Sequence, residues 1–300
     1  MLNEIPNFLY ELLIKQYGEK LTNSIIEGYS TKRPLTIRIN KIKTDCDKIK
    51  NILNANNIKY KEVSFYKDAL IIENYNKKDF ENLDIYENGE IYFQSLSSML
   101  PPIILNPKEG ENILDMAAAP GGKTTQMAAI SENKALITAC EKNKIRSERL
   151  KYNVKKQGAN ANILVEDARK LNDYFIFDKI LLDAPCSGSG TINLDDKNFN
   201  KFFTQDLVNR SVKVQQELLK KALKIVRAGS EIVYSTCSIL KRENEDNLQK
   251  LINDKKIEII PINQDILDNL PLLPVSIKGT MCVCPNELYE GFFVAKIRKI

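Results

Sequence analysis

Histidine is absent from all 300 residues of the chain. That removes Ser-His-Asp triads, Cys-His nucleophile pairs and every zinc site that needs an imidazole. Acid–base chemistry is left to Cys, Asp, Glu, Lys and Tyr. Long apolar runs are missing too: none approaches the roughly 18 residues a membrane span needs. The opening MLNEIPNFLYELL carries acids and a proline where a signal peptide has a basic start. A cytoplasmic protein without membrane contact is expected. Cysteine is sparse at six residues, mostly inside apolar runs and not in a spaced framework, which points to reduced thiols. Cys282, Cys284 and the distant Cys46 are too few ligands at the wrong spacing for structural zinc, so no metal is expected.

What is present suits a globular enzyme-sized chain. Hydrophobic residues make up 43% of the sequence, and the net charge is +5. The positive excess is local: residues 1–50 hold nine Lys/Arg against six Asp/Glu, and residues 201–250 hold ten against six. That hints at an anionic partner, although a lysine-rich solvated surface would look the same.

Residues 4–28 carry a helical pattern that Gly28 and Pro34 stop. LTIRINKIK then alternates, with Leu35, Ile37 and Ile39 on one face and Thr36, Arg38 and Asn40 on the other, as a half-buried strand would. Thr44 or Asp45 can cap a helix running to about Asn57, and KEVSF and ALIIE read as strands. These elements predict a small α+β domain over 1–90, ahead of a larger domain over 91–300. From about residue 111 short apolar runs alternate with helical stretches: NILDMAA, ALITACE, NILVED, DKILLDAP and SEIVYSTCS. Strands lacking a polar face predict a parallel sheet buried between helix layers, an α/β fold. KIEIIPI and GFFVAKIRK could be its last strands. Such sheets bind ligands beyond the carboxyl ends of the strands.

Those strand ends carry chemistry. After the first comes AAAPGGKTT, whose small residues and adjacent glycines let a ligand approach the backbone before a helix begins. It fits neither the phosphate-loop motif nor the dinucleotide fingerprint. Glu141 ends the second run, where such folds hold ribose hydroxyls, and Glu166 with Asp167 end the third, where an acid could accept from an adenine amino group. Singly, each acid is as well explained as a helix cap; together they point to a nucleoside-containing cofactor. The fourth and fifth strands end in DAPCSGSGT and YSTCSI, so Cys186 and Cys237 are expected at one rim. Cys46 and Cys140 are read as small buried residues.

DMAAAPGGKTT, LLDAPCSGSGT, YSTCSI and GFFVAKI resemble, in order and spacing, the RNA cytosine-5 methyltransferases of the Nol/Nop/Sun group, which includes the bacterial ribosomal RNA enzymes RsmB and RsmF. TIRIN at 36–40 and GEIYFQSLSSM at 89–99 resemble the same family's upstream segments. The resemblance implies a Rossmann-like S-adenosylmethionine-dependent methyltransferase sheet behind a small RNA-binding domain. It implies that Cys237 is the nucleophile toward cytosine carbon 6, that Cys186 assists release, and that Asp183 holds the flipped base. Ala117, Ala118, Ala119, Pro120, Gly121, Gly122 and Lys123, with Glu141, Asp167 and Asp183, are the expected S-adenosylmethionine contacts. With no histidine to deprotonate Cys237, Lys123 is nominated as the cation that favours its thiolate. RNA, ribosomal more than transfer, is the expected partner of a monomeric enzyme. Phosphate contacts are expected from Lys32, Arg33, Arg38 and Lys41 and from Arg210, Lys213, Lys220 and Lys224. Two alternatives stand beside this: a DNA cytosine-5 methyltransferase, which would use the Pro-Cys cysteine as nucleophile, and an RNA-binding assembly factor with an idle site.

Overall fold

The computed structural model describes residues 5–196 and 203–300. The chain divides into two compact units: a terminal unit of Met1–Arg33, Leu182–Lys224 and Ala228–Ile300, and a central unit of Pro34–Leu181 with Ile225–Arg227. Elements are numbered along the chain.

The terminal unit begins with α1 (Asn7–Tyr29), which buries Leu9, Leu13, Ile25 and Tyr29 and is broken at Gly18, whose φ is 76°. Part of the predicted start, at residue 4, lies outside the described residues.

The central unit opens with a four-stranded antiparallel sheet in the order β2–β3–β1–β4, built from β1 (Leu35–Ile39), β2 (Tyr60–Glu62), β3 (Ala69–Ile72) and β4 (Ile91–Phe93). Asp45 caps α2 (Cys46–Ala55) by accepting from the Lys48 amide at 2.8 Å, as its short polar side chain allows. Ile37, Ile39, Ile49, Leu53, Leu70 and Phe80 form its core. The alternation in β1 places Thr36, Arg38 and Asn40 on the face opposite Leu35, Ile37 and Ile39. All three are buried, Arg38 completely. β1 is an inner strand covered on both faces: Thr36 Oγ1 donates to Gln94 O at 2.6 Å and Asn40 Nδ2 to Gly89 O and Gln157 O at 2.8 and 2.7 Å, while Nε and Nη1 of Arg38 are buried without a hydrogen-bond partner.

Short helices α3 (Lys77–Glu81) and α4 (Asp84–Glu87) precede β4, and α5 (Leu96–Leu105) follows it. Then come β5 (Asn112–Asp115), α6 (Gly122–Ile130), β6 (Leu136–Cys140), α7 (Lys144–Gln157), β7 (Ala161–Leu164) and β8 (Phe177–Asp183). β5 pairs in parallel with β6 and β8, and β6 with β7. This is the α/β alternation that the apolar runs predict, and the register aligns the carboxyl ends: Asp115 opposite Ala139 and Leu181, Cys140 opposite Leu164.

β8 passes from one unit to the other at Leu182, and in the terminal unit its neighbour is β9 (Val226–Thr236), the Ala184 amide donating to Ser235 O at 2.8 Å. Also here are α8 (Gln205–Ile225), α9 (Glu245–Asn253), β10 (Ile257–Ile260), α10 (Gln264–Leu267), β11 (Leu272–Leu273), β12 (Met281–Val283) and β13 (Phe292–Lys299). β13 runs antiparallel to β9, β10 and β12, so the expected parallel sheet carries an antiparallel edge. The architecture is a Rossmann-like α/β sheet with a small α+β portion in the N-terminal region. Among the described residues no helix is long and apolar enough to cross a membrane.

Candidate active site

In the terminal unit the turn after β8 and the end of β9 bring two thiols together. Cys186 Sγ and Cys237 Sγ lie 3.1 Å apart, both residues half-buried. The turns that carry them are tied backbone to backbone: the Gly190 amide donates to Cys237 O at 2.9 Å and the Gly291 amide to Gly190 O at 2.8 Å. A side chain at Gly190 would collide with the Gly291 carbonyl. Helix α1 adds three donors, Tyr29 Oη to Ser189 O at 2.5 Å, Tyr17 Oη to Ile239 O at 2.6 Å and Gln16 Nε2 to Ile239 O at 2.9 Å. Asp183 Oδ1 accepts from Ser235 Oγ at 2.8 Å. Hydrogen bonding to the Cys237 sulfur, then burial and the neighbouring charges of Cys237 and Glu243, push the Cys186 thiol well above the ordinary thiol range.

Sequence reasoning missed Glu243. It is fully buried, yet accepts from Ser187, Ser238 and Gln215. Its flanks in KRENED read as a solvated polar run, so the only signal was indirect, a serine directly after each cysteine.

The other cysteines behave as packed thiols. Burial raises Cys140 to about 12 and Cys284 to about 11, and burial with a hydrogen bond to Asp68 raises Cys46 to about 11. Buried Cys282 is raised as well. Among the described residues no group of three or more His, Cys, Asp or Glu side chains could hold a metal ion.

In the central unit the predicted nucleoside contacts gather at the carboxyl ends of β5, β6 and β7. The turn Ala117–Gly121 leads into α6 through Gly121 at φ 109°, and its carbonyls are held by side chains of α7: Arg146 Nη2 to Ala119 O and Asn153 Nδ2 to Pro120 O, both at 2.8 Å. Thr124 Oγ1 donates to Asp115 Oδ2 at 2.7 Å. Glu141 Oε1 accepts the Asn143 amide at 2.8 Å, while Oε2 lies 3.6 Å from Arg146, beyond hydrogen-bond reach. Asp167 is gripped by Arg169 at 2.5 Å and caps the turn after β7, and that guanidinium holds its carboxyl below the usual range. Lys123 Nζ donates to Ser98 Oγ at 2.8 Å.

The expected phosphate contacts separate on inspection. Lys32, Lys41, Arg210, Lys213, Lys220 and Lys224 are exposed. Arg33 turns inward, Nε to Tyr289 O at 2.9 Å and Nη2 to Gly28 O at 3.0 Å. Arg38 is corrected: wholly buried, it donates to Thr125 Oγ1 at 2.8 Å and lies 5.4 Å from the centre of the Tyr92 ring, so no phosphate reaches it.

Comparison with known proteins places these residues among relatives. A family model described as 16S rRNA methyltransferase RsmB/F matches residues 102–298, and one described as the ferredoxin-like domain of RsmF/B-like methyltransferases matches residues 5–77. Ribosomal RNA small subunit methyltransferase F of Shewanella woodyi is 34% identical over 305 residues, covering 96% of this chain and 62% of that protein. A tRNA (cytosine(49)-C(5))-methyltransferase of Pyrococcus abyssi is 33% identical over 309 residues, covering 95% and 98%. The crystal structure of a methyltransferase homolog from Pyrococcus horikoshii is 30% identical with a TM-score of 0.87, covering 100% of this chain and 97% of that one. The chain spans about three fifths of the length of the first curated relatives, 62% and 59%.

Proposed function

Because the chain belongs to the RsmB/F family of 16S rRNA methyltransferases, we propose that it transfers a methyl group from S-adenosylmethionine to carbon 5 of a cytosine in RNA, ribosomal RNA ahead of transfer RNA. The observation that carries the reading is the pair of sulfurs 3.1 Å apart. Carbon 5 of cytosine is a poor nucleophile until the ring's conjugation is broken. The Cys237 thiolate adds to carbon 6, forming an S–C6 bond and making carbon 5 an enamine carbon. Asp183 holds the exocyclic amine and ring nitrogen of the flipped base. S-adenosylmethionine supplies an electrophilic methyl on a sulfonium. The proton on carbon 5 must then leave so that the S–C6 bond breaks and the thiolate is restored.

Cys186 is assigned to that release. The 3.1 Å separation of the two sulfurs supports Cys186 as the group that takes the carbon 5 proton. For the methyl donor the donor set fits: Glu141 Oε2, ion-paired with Arg146 at 3.6 Å but outside hydrogen-bond distance, suits ribose hydroxyls, and the turn 117–121 with the start of α6 suits the rest of the nucleoside and its amino acid. Asp167 would share its oxygens with Arg169 while accepting from the base. Lys123 is kept as the cation nominated to favour the Cys237 thiolate. Residues 1–90 are the proposed RNA-binding domain and 91–300 the catalytic one.

A denaturing gel of protein with RNA substrate tests the roles. Cys237→Ser is expected to be inactive and to form no covalent species. Cys186→Ala should accumulate a protein–RNA adduct containing one transferred methyl group, which the double variant should lose. The opposite pattern would mean the DNA-type arrangement, and no adduct in any variant, even on RNA carrying 5-azacytidine, would mean an idle site.

A further inference from the structure

We infer that Glu243 is a positioning residue, whose single buried carboxylate clamps the Cys186 and Cys237 turns together and sets the separation of their sulfurs. A carboxylate without exposed surface is costly unless its lone pairs are filled. Here Oε1 accepts the Ser187 amide at 2.8 Å and Gln215 Nε2 at 3.1 Å, and Oε2 accepts Ser187 Oγ at 2.5 Å and Ser238 Oγ at 2.6 Å. Ser187 directly follows Cys186, and Ser238 directly follows Cys237. One residue therefore touches the neighbour of each thiol and reaches no sulfur itself.

The clamp is itself held. Tyr234 Oη and Asn247 Nδ2 donate to the Glu243 carbonyl at 2.5 and 3.0 Å. Gln215 Nε2 also donates to Pro185 O at 3.0 Å, and Ser238 Oγ is 2.8 Å from Ser189 Oγ, which in turn accepts the Ile239 amide at 3.0 Å. A network satisfied at each named step has one low-energy arrangement. The Glu243 charge adds to the rise in Cys186 proton affinity, behind the hydrogen bond to Cys237 and burial.

The catalytic consequence rests on the cytosine-methylation reading; the geometry does not. Two readouts keep them apart. The first needs no RNA: diamide takes two hydrogens from the paired thiols and leaves a Cys186–Cys237 disulfide, a reaction that requires the sulfurs in near contact. Glu243→Gln and Glu243→Ala are expected to slow this cross-link about tenfold or more in protein that still melts cooperatively. The second is steady-state kinetics, in which kcat should fall about a hundredfold with KM for RNA and for S-adenosylmethionine unchanged. A carboxylate that only held the fold would lower the melting temperature without separating kcat from KM. If Glu243→Ala does not fold, Ser187→Ala and Ser238→Ala each remove one arm, and both should slow cross-linking. Wild-type cross-linking rates in the folded variants would overturn the inference. A Glu243-dependent cross-link in a protein that methylates no RNA would leave the clamp standing and remove the functional reading.

Discussion

The two glycine turns, PCSGSG in the terminal unit and APGGK in the central unit, look alike in sequence, and their glycines are crowded by different kinds of neighbour. At Gly190 a Cβ would fall 2.5 Å from the Gly291 carbonyl carbon and 2.8 Å from its Cα, backbone that cannot move without shifting β13. At Gly122 a Cβ would meet the edge of the Tyr92 ring at 3.1 Å, a side chain that can give by a few tenths of an ångström. The turn proposed to carry a reacting atom is tied by backbone at Gly190 and by the side chains of Glu243, Gln215 and Tyr29. The turn assigned to a nucleoside is tied by the Ala118 amide to Cys140 O and by the side chains of Arg146 and Asn153, which hold its carbonyls. A thiol that must meet one carbon tolerates little displacement, whereas a pocket for a large ligand is defined by many contacts at once.

Alanine at each glycine breaks this comparison most sharply. Gly190→Ala is expected to cost about 3 kcal/mol or more, the upper end of overpacking. Gly122→Ala should fall within about 1 kcal/mol of wild type, because the better helix propensity of alanine at the start of α6 offsets the crowding at Tyr92. Urea unfolding midpoints at equal m-values read both. Equal losses would mean that the Gly190 turn is as adjustable as the other.

Smaller effects test the acids of the central unit. Glu141→Ala and Asp167→Ala should weaken S-adenosylmethionine binding by roughly 1.5–3 kcal/mol, the worth of a hydrogen bond to a charged acceptor. Glu141 should lie at the upper end and Asp167 at the lower, since Asp167 already spends oxygens on Arg169. Titration calorimetry showing unchanged affinity in both variants removes the assignment, and equal losses would indicate that Arg169 lets go of Asp167 when the donor binds.

Much of this was legible because it is local. β5, β6 and β8 carry apolar runs, so they announce a buried parallel sheet, whose edge strand β7 is only partly covered, and the residues that end the strands fall where such sheets bind ligands. Proline and glycine beside Cys186 mark a turn without any structure. Three things were illegible, each decided by distant partners. An apolar strand pairs either way, so the antiparallel β9–β13 edge follows from chain connection and not from composition. Alternation in β1 marks one apolar face; that the other is also covered depends on residues such as Gln94, Thr125 and Gln157. Glu243 sits in a charged run and gains its meaning from nearby Ser238 together with Ser187 and Gln215, 56 and 28 residues away.

The smallest effect concerns the basic surface, where the comparison becomes one between exposed and buried cations. If Lys32, Lys41 and Lys213 meet phosphates, replacing all three should lower the slope of log affinity against log salt by roughly 0.7–0.9 for each phosphate left unneutralised. Arg38→Met should leave that slope unchanged, because its guanidinium is wholly buried against Thr125 and Tyr92. Any loss in Arg38→Met should instead appear in unfolding, through the missing hydrogen bond to Thr125. Filter binding from low to physiological salt separates the two. A triple variant with the wild-type slope would leave these lysines as solvated surface, and a flattened slope in Arg38→Met would mean that β1 opens to meet RNA.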